Sequence, residues 1–174
     1  MAKEQLVFEA LPDCDPQIGR ALWQLEDTRI LTQRTLEVMN PLLLDWQPEA
    51  NSHSIGTLLY HIAMIEADWL YNEVLEAEWP AEFTFLFPQD VHDEQGRLSI
   101  VKGQSWDEHW SRLNHVRTRV LNTYKGMTLD DFRRARSLPD YDVTPEWVLH
   151  HLCQHEAEHR SEMAALRTMG EGVL

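Results

Sequence analysis

Cysteine is nearly absent: Cys14 and Cys153 are the two in 174 residues. They are too few for a disulfide framework and do not form a Cys-x-x-Cys pair, so two free thiols in a reducing compartment are expected. Glycine and proline are also scarce, at 7 and 8. No Gly-rich phosphate loop and no alternating strand-turn-helix rhythm is visible, which leaves long helical patterns as the main content. Basic residues are in deficit: 15 Lys and Arg face 29 Asp and Glu, for a formal net charge of -14. Phosphate backbones and anionic membrane surfaces are repelled by such a chain, so neither nucleic acid nor membrane is an expected partner. No apolar run approaches the roughly 18 residues of a membrane helix. The opening MAKEQLVFEALPD carries acids where a signal peptide needs an apolar core, so a cytoplasmic location is expected. The length suits one domain, 1–174, with a core that needs no disulfide or structural metal.

What is present is helical periodicity. A first helix is expected from about Pro16 to Asn40, with Ile18, Leu22, Leu25, Ile30, Leu36 and Met39 facing inward and Pro41 ending or bending it. Asn51 or Ser52 is the expected cap of a second helix, running to about Ala77 and turning Ile55, Leu58, Leu59, Ile62, Ile65 and Trp69 inward. From Glu78 to Gln104, alternating Phe83, Phe85 and Phe87, then Pro88 and Gly96, predict an extended crossover with a short hairpin, placed to cover the core or a pocket. Ser105 and Glu108 form a capping-box signature for a helix to about Lys125, and Thr128 starts a short turn ending near Ser137. Thr144 followed by Pro145 opens a last helix expected to reach Met169, before Gly170. The predicted class is all-α: a four-helix bundle with a long crossover between helices two and three.

Nine histidines are many for this length, and four, His150, His151, His155 and His159, fall on the last helix. At about 100° per residue, Val148, Leu152, Met163 and Leu166 define one apolar face that also contains His155 and His159. His151 lies at its edge, placed to support a ligand, and His150 on the opposite, solvated side. Histidines at i and i+4 on a buried face can share one ion, which compensates two polar groups in an apolar setting; each can equally be a hydrogen-bonded core residue. A third ligand has to come from another helix. His61, flanked by Leu58 and Ile65 at the border of the second stripe, is the best candidate. Glu66 is an unexpected carboxylate near the centre of that stripe. Hydrogen bonding to a ligand histidine, service as a base, and a buried pair with an arginine are its alternatives.

Other motifs compete. His155-Glu156-Ala157-Glu158-His159 matches H-E-x-x-H and H-x-x-E-H, the zinc-peptidase signatures. Only fifteen residues follow His159, with Glu162 and Glu171 as donors, no sheet is evident to hold a peptide, and the wheel turns Glu156 toward the helix flank. A carboxylate-bridged di-metal bundle needs two Glu-x-x-His motifs on different helices, and Glu156 with His159 supplies one. Cys153 lies off the core stripe with no partner specified, and the seven tryptophans read as core and interface filler.

S-I-G-T-L-L-Y-H-I-A-M-I-E at 54–66, followed by T-P-E-W-V-L-H-H-L-C-Q-H-E-A-E-H-R at 144–160, resembles the DinB-like, or YfiT-like, superfamily, named for DNA-damage-inducible bacterial proteins. The resemblance implies a four-helix bundle with a histidine triad, which falls here on His61, His155 and His159. Many relatives continue with His-Arg-Gly-Gln, whereas this chain has His159-Arg160-Ser161-Glu162, so contacts beyond the ligands differ. Three imidazoles leave a coordination position open, as in catalytic sites. The resemblance further implies a metal-dependent transferase or hydrolase-like enzyme using a low-molecular-weight thiol such as bacillithiol, mycothiol or glutathione against a small electrophile. Glu66 and His151 are the candidates for orienting a ligand. Zinc and nickel suit imidazole best, with iron and manganese also compatible. A homodimer is the expected assembly. The rival reading is a non-catalytic metal-binding stress protein, or a bundle whose apolar faces serve dimerisation.

Overall fold

The computed structural model describes residues 7–50 and 52–174. Its frame is four helices: α1 (Pro16–Leu36), α2 (Ile55–Asp68), α4 (Trp106–Lys125) and α6 (Pro145–Glu171), with short α3 (Ala81–Leu86) and α5 (Leu129–Arg133) between them. Packing runs in a closed ring, α1 on α6, α6 on α2, α2 on α4 and α4 on α1. This is the predicted all-α bundle. A two-stranded antiparallel ribbon, β1 (Arg136–Ser137) with β2 (Asp142–Val143), precedes α6. Among the described residues no helix is long and apolar enough to cross a membrane.

Each long helix starts where a side chain takes over an orphan backbone N–H. Asp15 accepts from Gln17 ahead of α1, and Ser54 from Thr57 ahead of α2. Both halves of the Ser105–Glu108 capping box form, and Thr144 accepts from the Trp147 amide with Pro145 at the first helical position. Of the two caps expected for α2, Asn51 lies outside the described residues and Ser52 sits two residues before the true cap.

Several boundaries move, for identifiable reasons. The first helix stops at Leu36 instead of Asn40, and Asn40 caps a separate 3-10 turn at Pro41–Leu44. Its inward stripe is Leu22, Leu25, Arg29, Thr32 and Leu36, while Ile30 is exposed; this is the cleaner i, i+3, i+4 series. The regular part of α2 ends at Asp68, and a π-helical turn, Trp69–Val74, carries it on. The Phe83–Phe85–Phe87 alternation is not a strand: α3 and its end put Phe83 and Phe87 inward, in contact at 5.9 Å, and leave Phe85 in solvent. The hairpin survives as one bridge, His92 to Leu98. The turn predicted to reach Ser137 stops at Arg133, since Arg136 and Ser137 pair as β1. Gly170 does not follow the last helix but lies inside it, buried where a Cβ would run into Leu43 and Trp46. Gly56 plays the same part between α2 and α4: a Cβ there would lie 3.0 Å from His109 Nε2 and from the Leu44 carbonyl.

Candidate metal centre

Helix α2 brings His61 and α6 brings His155 and His159 to one point between the two helices. The Nε2 atoms of His61 and His155 are 3.0 Å apart, and those of His155 and His159 3.1 Å apart. The candidate ligand atoms of the three residues all lie within 4.8 Å of one another. None of the rings stack: His159 meets His61 and His155 edge-on, at 86° and 83°, and His61 is tilted at 59° to His155. All three are half-buried.

Hydrogen bonding alone does not account for this arrangement. An imidazole nitrogen presents either one in-plane lone pair or one N–H, so His155 Nε2 can satisfy one of its two neighbours but not both. Three lone pairs aimed at a shared cation leave no such conflict, and separations of 3.0 and 3.1 Å approach the roughly 3.3 Å between nitrogens on tetrahedral zinc. His159 Nδ1 donates to Glu162 Oε2 at 2.6 Å, which places the proton on Nδ1 and leaves Nε2 free to ligate. Burial, then the neighbouring His159, lowers the pKa of His61 to about 4; burial, then His159 and His61, lowers that of His155 to about 3. Both rings are therefore neutral donors near pH 7. His61 Nδ1 is buried without a hydrogen-bond partner among the described residues. The donor set fits a divalent transition ion, and three ligands leave room for a further one.

Glu66 is buried beside this cluster but turned away from it. Its two oxygens take Arg117 Nε at 2.6 Å, Arg117 Nη2 at 3.0 Å and Arg29 Nη2 at 2.8 Å. Of the roles open to it, the buried arginine pair is the one the structure makes. Glu156 is the clearest correction. It does not lie on the helix flank but is 1% exposed, with Arg29 Nε on Oε1 at 2.8 Å and Arg117 Nη2 on Oε2 at 3.0 Å. Burial alone would raise its pKa, yet the two guanidinium groups hold it down at about 2. A carboxylate so engaged is not free to serve as the base of an H-E-x-x-H peptidase.

Arg29, Arg117 and Glu156, which sequence reasoning missed, thus join with Glu66 to link all four bundle helices through one buried ion-pair lattice. The signal was present: Arg29 continues the Leu22–Leu25 stripe, and Arg117 lies between Leu113, Val116 and Val120 on the buried face of α4. His151 makes no hydrogen bond to the triad. Its ring lies flat on Trp147 at 5.2 Å and 6.0 Å from that of His155. Cys14 and Cys153 are both free and partly buried; burial raises the Cys153 thiol to about 11, so it is no ready nucleophile.

A family model described as the DinB superfamily matches residues 24–163. The chain belongs to the DinB superfamily. The match takes in α2 and all three histidines. The crystal structure of a conserved protein from Enterococcus faecalis superposes with a TM-score of 0.68 at 13% identity, covering 87% of this chain and 95% of that one. At that identity the likeness speaks to the fold alone. No curated protein matches this sequence.

Proposed function

We propose that this DinB-superfamily protein is a metal-dependent enzyme of the thiol S-transferase type, with one divalent ion, zinc or nickel, on His61, His155 and His159. The observation that carries the reading is the convergence of the three imidazoles of His61, His155 and His159 on one point, with Glu162 hydrogen-bonded to Nδ1 of the third. An ion so held supplies Lewis acidity and favours the thiolate form of a low-molecular-weight thiol. The transfer forms a bond from that sulfur to an electrophilic carbon, whose leaving group departs with the bonding electrons while the thiol proton passes to solvent. The protein's own part is to hold the donors in place. The arginine lattice fixes α2 and α6 against each other, and partial burial limits water at the triad. A homodimer in the cytoplasm belongs to the same proposal and is checked by sedimentation.

The test begins with elemental analysis of untagged protein and of His61→Ala, His155→Ala and His159→Ala. One equivalent of metal is expected in the parent and much less in each variant. A screen of thiols against small electrophiles then reads turnover, which His159→Ala should abolish while its helical circular dichroism persists. A full equivalent of metal retained in all three variants would remove the basis of the proposal. Stoichiometric metal with no turnover, and unfolding on its removal, would favour the non-catalytic reading.

A further inference from the structure

We propose that a recess of exposed aromatic faces, about two helical turns beyond the triad, binds a flat, uncharged apolar ring of the molecule on which the site acts. The proposal rests on the metal-centre reading for the position of the reacting end. The recess holds about 430 Å³ and is lined by Trp69, Tyr141, Asp142, Val143, Thr144 and Trp147. Three separate elements converge on it: the π-helical turn after α2, the β1–β2 ribbon and the first turn of α6. Tryptophan serving as core filler would be covered, yet Trp147 is 48% and Tyr141 46% exposed. The Trp69 ring lies 5.4 Å from that of Trp147 and 6.4 Å from that of Tyr141, at interplanar angles of 39° and 30°. These planes form a splayed wall that a planar group covers by stacking, and not a box of perpendicular faces around a point charge. Tyr141 is tied down by its hydroxyl, which donates to Glu73 Oε1 at 3.0 Å.

Position ties the recess to the triad. His151 touches both indoles, at 4.4 Å from Trp69 and 5.2 Å from Trp147, and its ring is 6.0 Å from that of His155. Trp147, His151, His155 and His159 recur every fourth residue of α6, so they form one continuous row rising about 6 Å per step. A molecule stacked on the indoles extends along that row to the triad. Among the described residues Asp142 is the one charged residue lining the recess, with no Lys or Arg, so anionic rings are disfavoured. The volume sits at the small end of the roughly 300–1,000 Å³ of ligand pockets, which suits one or two fused rings on a short chain.

The test uses N-phenyl-1-naphthylamine, a neutral probe whose emission rises in apolar surroundings. Titrated into metal-free protein, it should bind saturably at one equivalent, at least tenfold more weakly in Trp147→Ala and, as a gentler variant, more weakly in Trp69→Phe. Trp106→Ala, in the separate groove of about 640 Å³ on the α1–α4 face, should leave binding unchanged. With cobalt(II) bound, the proton resonances of the probe should broaden, and they should stay sharp with zinc. Non-saturable binding, binding indifferent to Trp147→Ala, or binding lost in Trp106→Ala would overturn the proposal. So would a stoichiometric cobalt complex that leaves the probe resonances sharp. Failure to bind cobalt at all would count against the metal centre alone, and the titration would still decide the recess.

Discussion

Two polar clusters sit side by side on the same pair of helices, and they are solved in opposite ways. His155 and Glu156 are consecutive on α6, and His61 and Glu66 lie five residues apart on α2. On the glutamate side, every carboxylate oxygen of Glu66 and Glu156 receives at least one N–H from Arg29 or Arg117. On the histidine side, the three rings converge, and no tautomer of His155 lets its Nε2 satisfy both neighbours. Burial of polar groups costs free energy unless partners are supplied. The lattice takes its partners from the chain and is architecture; the triad is arranged so that it could take one from outside.

The largest way to break this contrast is Arg117→Ala. It leaves Glu66 and Glu156 buried with half their partners gone, and a loss of about 3–5 kcal/mol is expected, read as a lowered urea midpoint. His155→Ala, on metal-free protein, removes a half-buried ring with no obligatory partner and should cost about 1 kcal/mol. Equal losses would mean that the triad is as structural as the lattice. Next in size is the effect of the ion. Zinc at a hundredfold excess over its Kd should stabilise the parent by about 2.7 kcal/mol, measured as a shift of the thermal or urea transition. The His61→Ala, His155→Ala, His159→Ala triple variant should show no such gain. A gain of the same size there would place the ion elsewhere.

The legibility of the two clusters differed for a physical reason. Helical periodicity locates a side chain on a face of its own helix, so His155 and His159 were readable from α6 alone, while His61, at the border of its stripe, was a candidate that the family resemblance singled out. The lattice depends on how four helices rotate against one another. A wheel cannot show that Glu156, one step around from His155, faces α1 and α4 instead of solvent. The arginines that neutralise it hid for a related reason: on α1 the apolar Ile30 looked the more natural inward residue than Arg29, until Glu66 and Glu156 are known to face it. Caps were legible at Ser105 and Thr144 because their chemistry is local. The helical turn at Phe83 was not, because three phenylalanines at alternate positions satisfy a strand pattern equally well, and packing on Tyr71 and Trp79 decides between them.

The smallest expected effect sharpens the contrast at its seam, where one carboxylate does serve the triad. Glu162 accepts from His159 Nδ1 at 2.6 Å and is itself half exposed, so its loss should scarcely alter folding. Its task is to keep the proton on Nδ1 and the lone pair on Nε2. In Glu162→Gln an amide oxygen can still accept that hydrogen bond, but without the charge that makes the ring more basic. Metal affinity should fall about 10- to 100-fold, measured by competition with a chromogenic chelator, with the urea midpoint unchanged. Glu158→Gln removes the same charge from an exposed position on the same helix and controls for the general field of a chain at -14. If both variants weaken binding equally, Glu162 acts only as one anion among many. If Glu162→Gln stands apart, the triad has a dedicated carboxylate partner, set apart from the lattice by addressing a histidine instead of an arginine.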